Sequence, residues 1–391
     1  MATSGSAAEP GRYIVVLKDG TNASSAADDH AASFGARVTH VYEHALKGYA
    51  ATLSSQAAAN ISNDPRVDWV QPDAEVHAFA QTLPTGIDRA DAELSTTAKI
   101  DGADDRVNVD VAVLDTGIDL THPDLNVYRS TNCSGGSPFK KKCGTGGDDD
   151  NGHGSHVAGT IGALDNSTGP VGVAPGARLW AVKVLNSQGS GYQSWIVAGI
   201  DYVAANAAEI EVANMSLGGG GSDDGNCGNS NNDAEHKAIC NAVAKGVTFA
   251  VAAGNSDEDS AKSVPAAYDE VITVSALADF DGLTGGLGAA TCRPDVDDTF
   301  ADFSNWGSDV DIIAPGVCIY STYKDGGYAT ISGTSMASPH VAGAAALYKV
   351  NNPSASPAQV RDALIANGGT DWSNLDDADP IKESLLNVKN F

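Results

Sequence analysis

Hydrophobic and polar positions change rhythm along this chain, and the change divides it. Arg12-Tyr13-Ile14-Val15-Val16-Leu17-Lys18 has the β-branched and aromatic run of a strand, and Asp19-Gly20 closes it with a turn pair. Residues 22–34 set Ala23, Ala27, Ala31 and Phe34 along one side, the spacing of a helix. Arg37–Tyr42 and Gly48–Leu53 read as two more strands. Ser54 and Ser55 can cap a second helix, which Asp64-Pro65 closes. Val67–Val70 is a last strand, followed by an extended tail over Ala74–Thr85. The order βαββαβ predicts a small α+β unit of ferredoxin-like type.

Beyond residue 80, strands alternate with helices. Val107–Leu114 is apolar apart from Asn108 and Asp110, as in a parallel strand buried on both faces. Segments 179–185, 210–215, 247–252 and 271–275 share that character, and helical patterns fill 153–163, 192–208, 233–245 and 335–349. The alternation predicts one α/β domain, a doubly wound and mainly parallel sheet flanked by helices. Residues 279–302 read as an inserted acidic loop. The expected organisation is a flexible N-terminus over 1–11, a small domain over 12–79 and a larger domain over 80–391.

Composition narrows the function classes. The chain has 391 residues, 42% of them hydrophobic, which is enough for a sizeable core and argues against wholesale disorder. A net charge of −27 would repel nucleic acid and anionic lipid, and no apolar run is long enough to span a bilayer. A monomer without nucleic-acid or membrane partners is expected. Six cysteines, with no CxxC pair, make zinc-knuckle and thioredoxin readings weak. Nearest-neighbour pairing, Cys133–Cys143, Cys227–Cys240 and Cys292–Cys318, is favoured because the first two would close short loops; free buried thiols are the alternative. Disulfides point to export, so a secreted protein is expected, its leader already absent from this chain.

Three strings carry candidate chemistry. Asp115 ends the strand Val109–Leu114, at the carboxyl edge where α/β sites form. His153 stands at a loop-to-helix junction in Asn151-Gly152-His153-Gly154-Ser155-His156, and Ser335 enters a helix in Gly333-Thr334-Ser335-Met336-Ala337-Ser338-Pro339. A serine hydroxyl needs a neighbouring base to become a nucleophile, and the base needs an orienting acid. Each residue alone would more often be a cap, a turn or packing. Together, in the order Asp, His, Ser, the strings resemble the subtilisin family of serine peptidases over residues 80–391. An α/β-hydrolase reading fails because Ser335 lies in GTSMA and not GxSxG.

That resemblance implies a serine endopeptidase with Asp115 holding His153, His153 taking the Ser335 proton, and Asn255 in Ala252-Ala253-Gly254-Asn255 donating to the oxyanion. It implies that Gly189-Ser190-Gly191 and Ser216-Leu217-Gly218 flank an extended polypeptide substrate. Ala252, Ala253 and Gly254 would wall a first pocket with no evident charge. Residues 12–79 resemble the family's inhibitory prodomain, an intramolecular partner, with self-processing between Phe79 and Ala80. A structural Ca²⁺ is implied on the Asn166 side chain, backbone carbonyls of Leu164, Thr168 and Pro170, and Gln81 and Asp124, all hard oxygen donors. His156 with Asp148–Asp150 is a weak metal pattern, and His122 and His340 read as packing or hydrogen-bonding residues. The rival class is a catalytically silent binding protein on the same scaffold, which would be marked by a lost triad or oxyanion residue; none is lost.

Overall fold

The computed structural model describes residues 11–73, 81–135 and 143–391. Two compact units divide the chain, Met1–Ala78 and Phe79–Phe391. The first contains β1 (Gly11–Leu17), α1 (Ala23–Phe34), β2 (Arg37–Tyr42), β3 (Gly48–Leu53), α2 (Ser55–Ile61) and β4 (Val67–Pro72). Its antiparallel sheet runs β2-β3-β1-β4, as the ferredoxin-like reading requires. Asn22 and Ser54 cap the two helices through their side-chain oxygens, satisfying backbone N–H groups that a helix start leaves free. Val15, Leu17, Ala26, Tyr49 and Ile61 are buried between helices and sheet.

The second unit is built on a nine-stranded sheet. Its main strands are β5 (Asp110–Asp115), β6 (Val127–Asn132), β7 (Arg178–Lys183), β8 (Val212–Met215), β9 (Thr248–Ala252), β10 (Ile272–Ala278), β11 (Ile312–Pro315) and β12 (Ser384–Leu385). They lie in the order β12-β11-β10-β9-β8-β5-β7-β6 with parallel pairing, and Thr299–Phe300 pairs antiparallel with β10. Principal helices are α3 (His153–Gly162), α4 (Gln193–Ala205), α5 (Ala234–Val243) and α6 (Thr334–Asn351). Alternation along β5 explains the layers: Val111 and Val113 face the core with α3 and α6, while Ala112 and Leu114 face the core with α4 and α5. Both faces are covered, so the central strands read as continuous apolar runs.

Several elements escape the sequence pattern. The edge strand β6 is largely polar and only partly buried, and the hairpin Ile319–Tyr323/Gly327–Ile331 carries no strong alternation. The helix Pro357–Asn367 has a full capping box from Ser356 and Gln359, yet only Val360 and Leu364 are buried. Parts of the acidic insertion are internal. Asp279, Asp297 and Asp298 are buried, and Arg89 pairs with Asp279 at 3.0 Å and Asp298 at 2.9 Å. Acids that look solvated in sequence are therefore internal ties. Cys133–Cys143, Cys227–Cys240 and Cys292–Cys318 are all disulfide-bonded, as nearest-neighbour pairing predicts.

Candidate active site

Strand β5 delivers Asp115 to the carboxyl edge of the sheet, fully buried, and α3 begins at His153 directly opposite. His153 Nδ1 lies 2.8 Å from Asp115 Oδ1, which also accepts the Thr116 N–H at 2.6 Å. With the proton on Nδ1, Nε2 is left as an acceptor, the form a base needs. Burial would by itself lower the His153 pKa, but the Asp115 charge and hydrogen bond override it and raise it. The helix can approach this closely because residue 154 is glycine: a Cβ there would fall 2.0 Å from the Gly117 carbonyl oxygen.

The acidic run before His153 is a scaffold and not a solvated tail. Asp149 Oδ1 accepts from Thr116 Oγ1 and from the Asn151 and Gly152 N–H groups, and Oδ2 accepts from Ser155 N and Oγ. Burial pushes the Asp149 pKa up, yet these donors win and hold it low. Asp150 pairs with Lys183 at 2.6 Å. His156 turns away from His153, with Nε2 2.9 Å from the Ile319 carbonyl, and burial lowers its pKa to about 4. The two rings therefore serve different partners. His122 and His340 likewise bond backbone carbonyls, of Gly327 and Met336.

Ser335 occupies the second residue of α6, where a helix start leaves its N–H without an intrahelical acceptor. Pro339 lies inside this helix, beyond its first turn. Having no N–H, it cannot bond the carbonyl of residue 335 four positions back. Ser216 Oγ fills that vacancy, donating to Ser335 O at 2.8 Å, while Asn214 Nδ2 donates to Ser216 Oγ and Ser338 Oγ donates to Asn214 Oδ1. Ser335 Oγ donates to Ser216 O at 3.3 Å, and it shares with His153 the lining of a pocket of about 580 Å³. Nucleophile–base contacts in substrate-free sites are commonly loose and tighten on binding.

Asn255 is set by Thr334, whose N–H and Oγ1 donate to its Oδ1 at 2.8 and 2.9 Å. The Asn255 Nδ2 face is then turned from Thr334 and available as a donor. Asn305, which the sequence reading passed over, fastens this turn: Nδ2 donates to Ala253 O, and Oδ1 accepts from Ser256 N. Gly254 has φ +113°, and a Cβ would lie 2.4 Å from Asn305 Nδ2. Nothing in FSNWG marks Asn305 locally; only its distant partners do.

The cleft contains the other expected residues. Gly189, Ser190, Gly191, Ser216, Leu217 and Gly218 line the pocket shared by His153 and Ser335. Ala252, Ala253, Gly254 and Asn255 line a neighbouring pocket of about 400 Å³, with Leu217, Gly218 and Ser335 on its other wall. One expectation is corrected here. Glu258 and Lys262 also line that pocket, so its rim carries one charge of each sign.

The loop after α3 gathers the remaining residues. Gln81 Nε2 donates to the Leu164 carbonyl at 3.1 Å, and Asn166 Nδ2 donates to Asp124 Oδ1 at 2.6 Å. Asn166 Oδ1 accepts from Thr168 N and Oγ1, and Pro170 pairs with Thr82. Asp124 Oδ2 is buried without a hydrogen-bond partner, and burial pushes its pKa up to about 7. An orphaned carboxylate oxygen among carbonyls and amides fits a hard cation. The Phe79–Ala80 junction lies outside the described residues.

Among the described residues, no helix is long and apolar enough to cross a membrane. Comparison with known proteins places the chain in a family. Residues 106–379 match the Subtilase family, Peptidase S8, and residues 12–79 match Peptidase inhibitor I9. Subtilisin E of Bacillus subtilis (strain 168) is 39% identical over 358 residues, 90% of this chain and 84% of that protein. An alkaline protease of Shouchella clausii is 41% identical over 312 residues, 80% of this chain and 71% of its own. The crystal structure of a cold adapted subtilisin-like serine proteinase superimposes with a TM-score of 0.58 at 34% identity, covering 78% of this chain and 98% of that one. With the peptidase profile spanning most of the larger unit and an inhibitor profile ahead of it, the chain belongs to the subtilase family of serine endopeptidases.

Proposed function

We propose that the chain is the precursor of a secreted endopeptidase in which Ser335 is the nucleophile. His153 Nε2 takes the Oγ proton as Oγ attacks the peptide carbonyl carbon. The tetrahedral oxyanion is met by the Ser335 N–H and the Asn255 side-chain amide. Collapse breaks the C–N bond, and His153 returns the proton to the departing amine. Water, activated by His153 in turn, then releases the acyl group. Asp115 keeps the imidazole oriented and stabilises its charged form without taking its proton. The observation that carries this reading is the 2.8 Å His153–Asp115 bond beside a pocket that Ser335 also lines. A fluorophosphonate should label processed wild-type protein at Ser335 and leave Ser335→Ala unlabelled. Labelling of the variant to the same extent would end the assignment. Ser335→Ala should also stay an uncut precursor, read by mass spectrometry; a fragment beginning at Ala80 in a host without other proteases would refute self-processing.

In the same reading, residues 12–79 are the inhibitor of residues 80–391 and an aid to their folding. A large parallel sheet needs many non-local contacts, which slows unaided folding. Secretion is supported by the three disulfides, which persist in oxidising compartments. Calcium would be held by Asp124, Asn166, Gln81 and the carbonyls of Leu164, Thr168 and Pro170, supplying charge to an otherwise uncompensated carboxylate and no step of catalysis.

The substrate would lie extended between Gly189–Gly191 and Ser216–Gly218, bonded through its backbone. Small walls at Ala252, Ala253 and Gly254 leave room for a large apolar side chain before the cut, which Phe79 would supply in self-processing. Burying such a side chain contributes about 1.5–3 kcal/mol, or roughly ten- to a hundred-fold in rate over a small residue. A peptide-library profile of the processed enzyme is expected to favour Phe, Tyr, Leu or Met. Dominant Lys or Arg would instead assign the pocket's selectivity to Glu258.

A further inference from the structure

Away from the cleft, His236 sits in the first turn of α5 with its side chain fully buried. Its ring stacks on Tyr268 at 4.1 Å and 3°, and the Tyr268 hydroxyl donates to Asp233 at 2.6 Å, which fixes the ring plane. Nε2 lies 2.8 Å from Glu270 Oε2. Nδ1 has no hydrogen-bond partner among the described residues, although it is aimed at two carboxylates. Asp224 Oδ1 is 3.4 Å away and Asp223 Oδ1 3.5 Å, and the three residues each offer a donor atom within 4.8 Å of the other two.

Those separations are informative. A charge-assisted N–H···O bond would be about 2.7–2.9 Å long. Donors about 2.0–2.1 Å from a tetrahedral Zn²⁺ stand instead about 3.3–3.4 Å apart. The opposite ring nitrogen meets a carboxylate, the arrangement that orients a metal-bound histidine and raises its basicity. The carboxylates are already aimed: Asp224 accepts from the N–H groups of Asn226, Gly228, Ser230 and Asn231, and Asp223 accepts from those of Gly225 and Asp269. Cys227 and Cys240 stand nearby but are joined to each other, so they are not donors. An imidazole in the set favours zinc over calcium, which prefers oxygen alone. Asp223 and Glu270 retain some exposure, so an ion can reach the site.

We propose that His236 Nδ1, Asp223 and Asp224 bind one Zn²⁺, with Glu270 as the orienting carboxylate behind the ring. The ion would tie the 222–233 loop to the start of α5, next to the Cys227–Cys240 bond. That loop continues from Gly218–Gly220, which line the substrate pocket, and Gly219–Gly220 pairs with Ser263–Val264. The site would therefore brace one wall of the cleft without touching the reacting atoms.

The test uses the full chain carrying Ser335→Ala to prevent autolysis, stripped with chelator and held in excess Ca²⁺ to fill oxygen-only sites. Zn²⁺ is titrated by calorimetry, and retained metal is measured after equilibrium dialysis. One Zn²⁺ per chain is expected, lost in His236→Gln and weakened about 10–100-fold in Glu270→Gln. Zinc-edge absorption should show one imidazole and oxygen donors at about 2.0 Å, with no sulfur. If His236→Gln does not fold, Asp223→Asn in the partly exposed loop carries the comparison, its fold checked by circular dichroism. Zinc uptake equal in Asp223→Asn and its parent, no retained zinc, or sulfur around the metal would each overturn the site.

Discussion

Asp115 and Asp124 are both carboxylates removed from water, and their surroundings differ in one respect. Asp115 faces His153, a group that can itself become a cation. Asp124 faces the neutral amide of Asn166; both carboxylates keep a buried second oxygen without a hydrogen-bond partner among the described residues. A buried charge beside a titratable base tunes that base, whereas one beside amides alone is driven towards neutrality. The first arrangement suits proton transfer; the second suits an ion that arrives from solution.

The contrast can be broken most strongly at the first site. Asp115→Asn should keep the fold but cost about 10⁴ in kcat, because the asparagine no longer fixes the working tautomer. The sign of the pH effect follows from the raised His153 pKa. The base works only when neutral, so wild-type kcat/KM should fall on the acid side at a pH above the ordinary histidine value of about 6.5. Asp115→Asn should move that limb downward. An unshifted limb would detach Asp115 from His153.

A smaller loss is expected at Asn255, the proposed oxyanion donor. Asn255→Ala should lower kcat by about 10²–10³ with little change in KM, a magnitude taken from subtilisin itself. A rise in KM alone would recast Asn255 as a ground-state binding residue.

At the second site the effect should appear in stability. Chelation should lower Tm more than it lowers activity at low temperature, since the ion binds the folded loop and not the unfolded chain. Each ten-fold of free Ca²⁺ above its dissociation constant should add about 1.4 kcal/mol. Asp124→Asn should flatten that dependence. A wild-type Tm indifferent to exhaustive chelation would remove the calcium assignment.

Much of this architecture was legible in advance. The central strands announce themselves because both faces are buried, and the three strings around Asp115, His153 and Ser335 are long enough to be distinctive. The order βαββαβ was also readable, since strands and helices there are short, capped and separated by turn residues. Edge strand β6 and the helix Pro357–Asn367 were not, because elements with so little buried surface carry weak periodicity. Asn305, Asn214 and Ser338 were missed for another reason: each acts on a partner distant in sequence.

Short-range chemistry is written in contiguous residues: an acid at a strand end, a glycine where a helix must press on a carbonyl, cysteines near enough to close small loops. These survive as local strings because their steric and bonding demands involve near neighbours. Which acids face water and which are internal depends on what the chain brings beside them from afar. Asp149, Asp298 and Asp124 look alike in sequence, yet one organises the His153 loop, one pairs with Arg89, and one keeps a buried oxygen without a hydrogen-bond partner. Desolvation and pairing act through space, so only the folded chain assigns those roles.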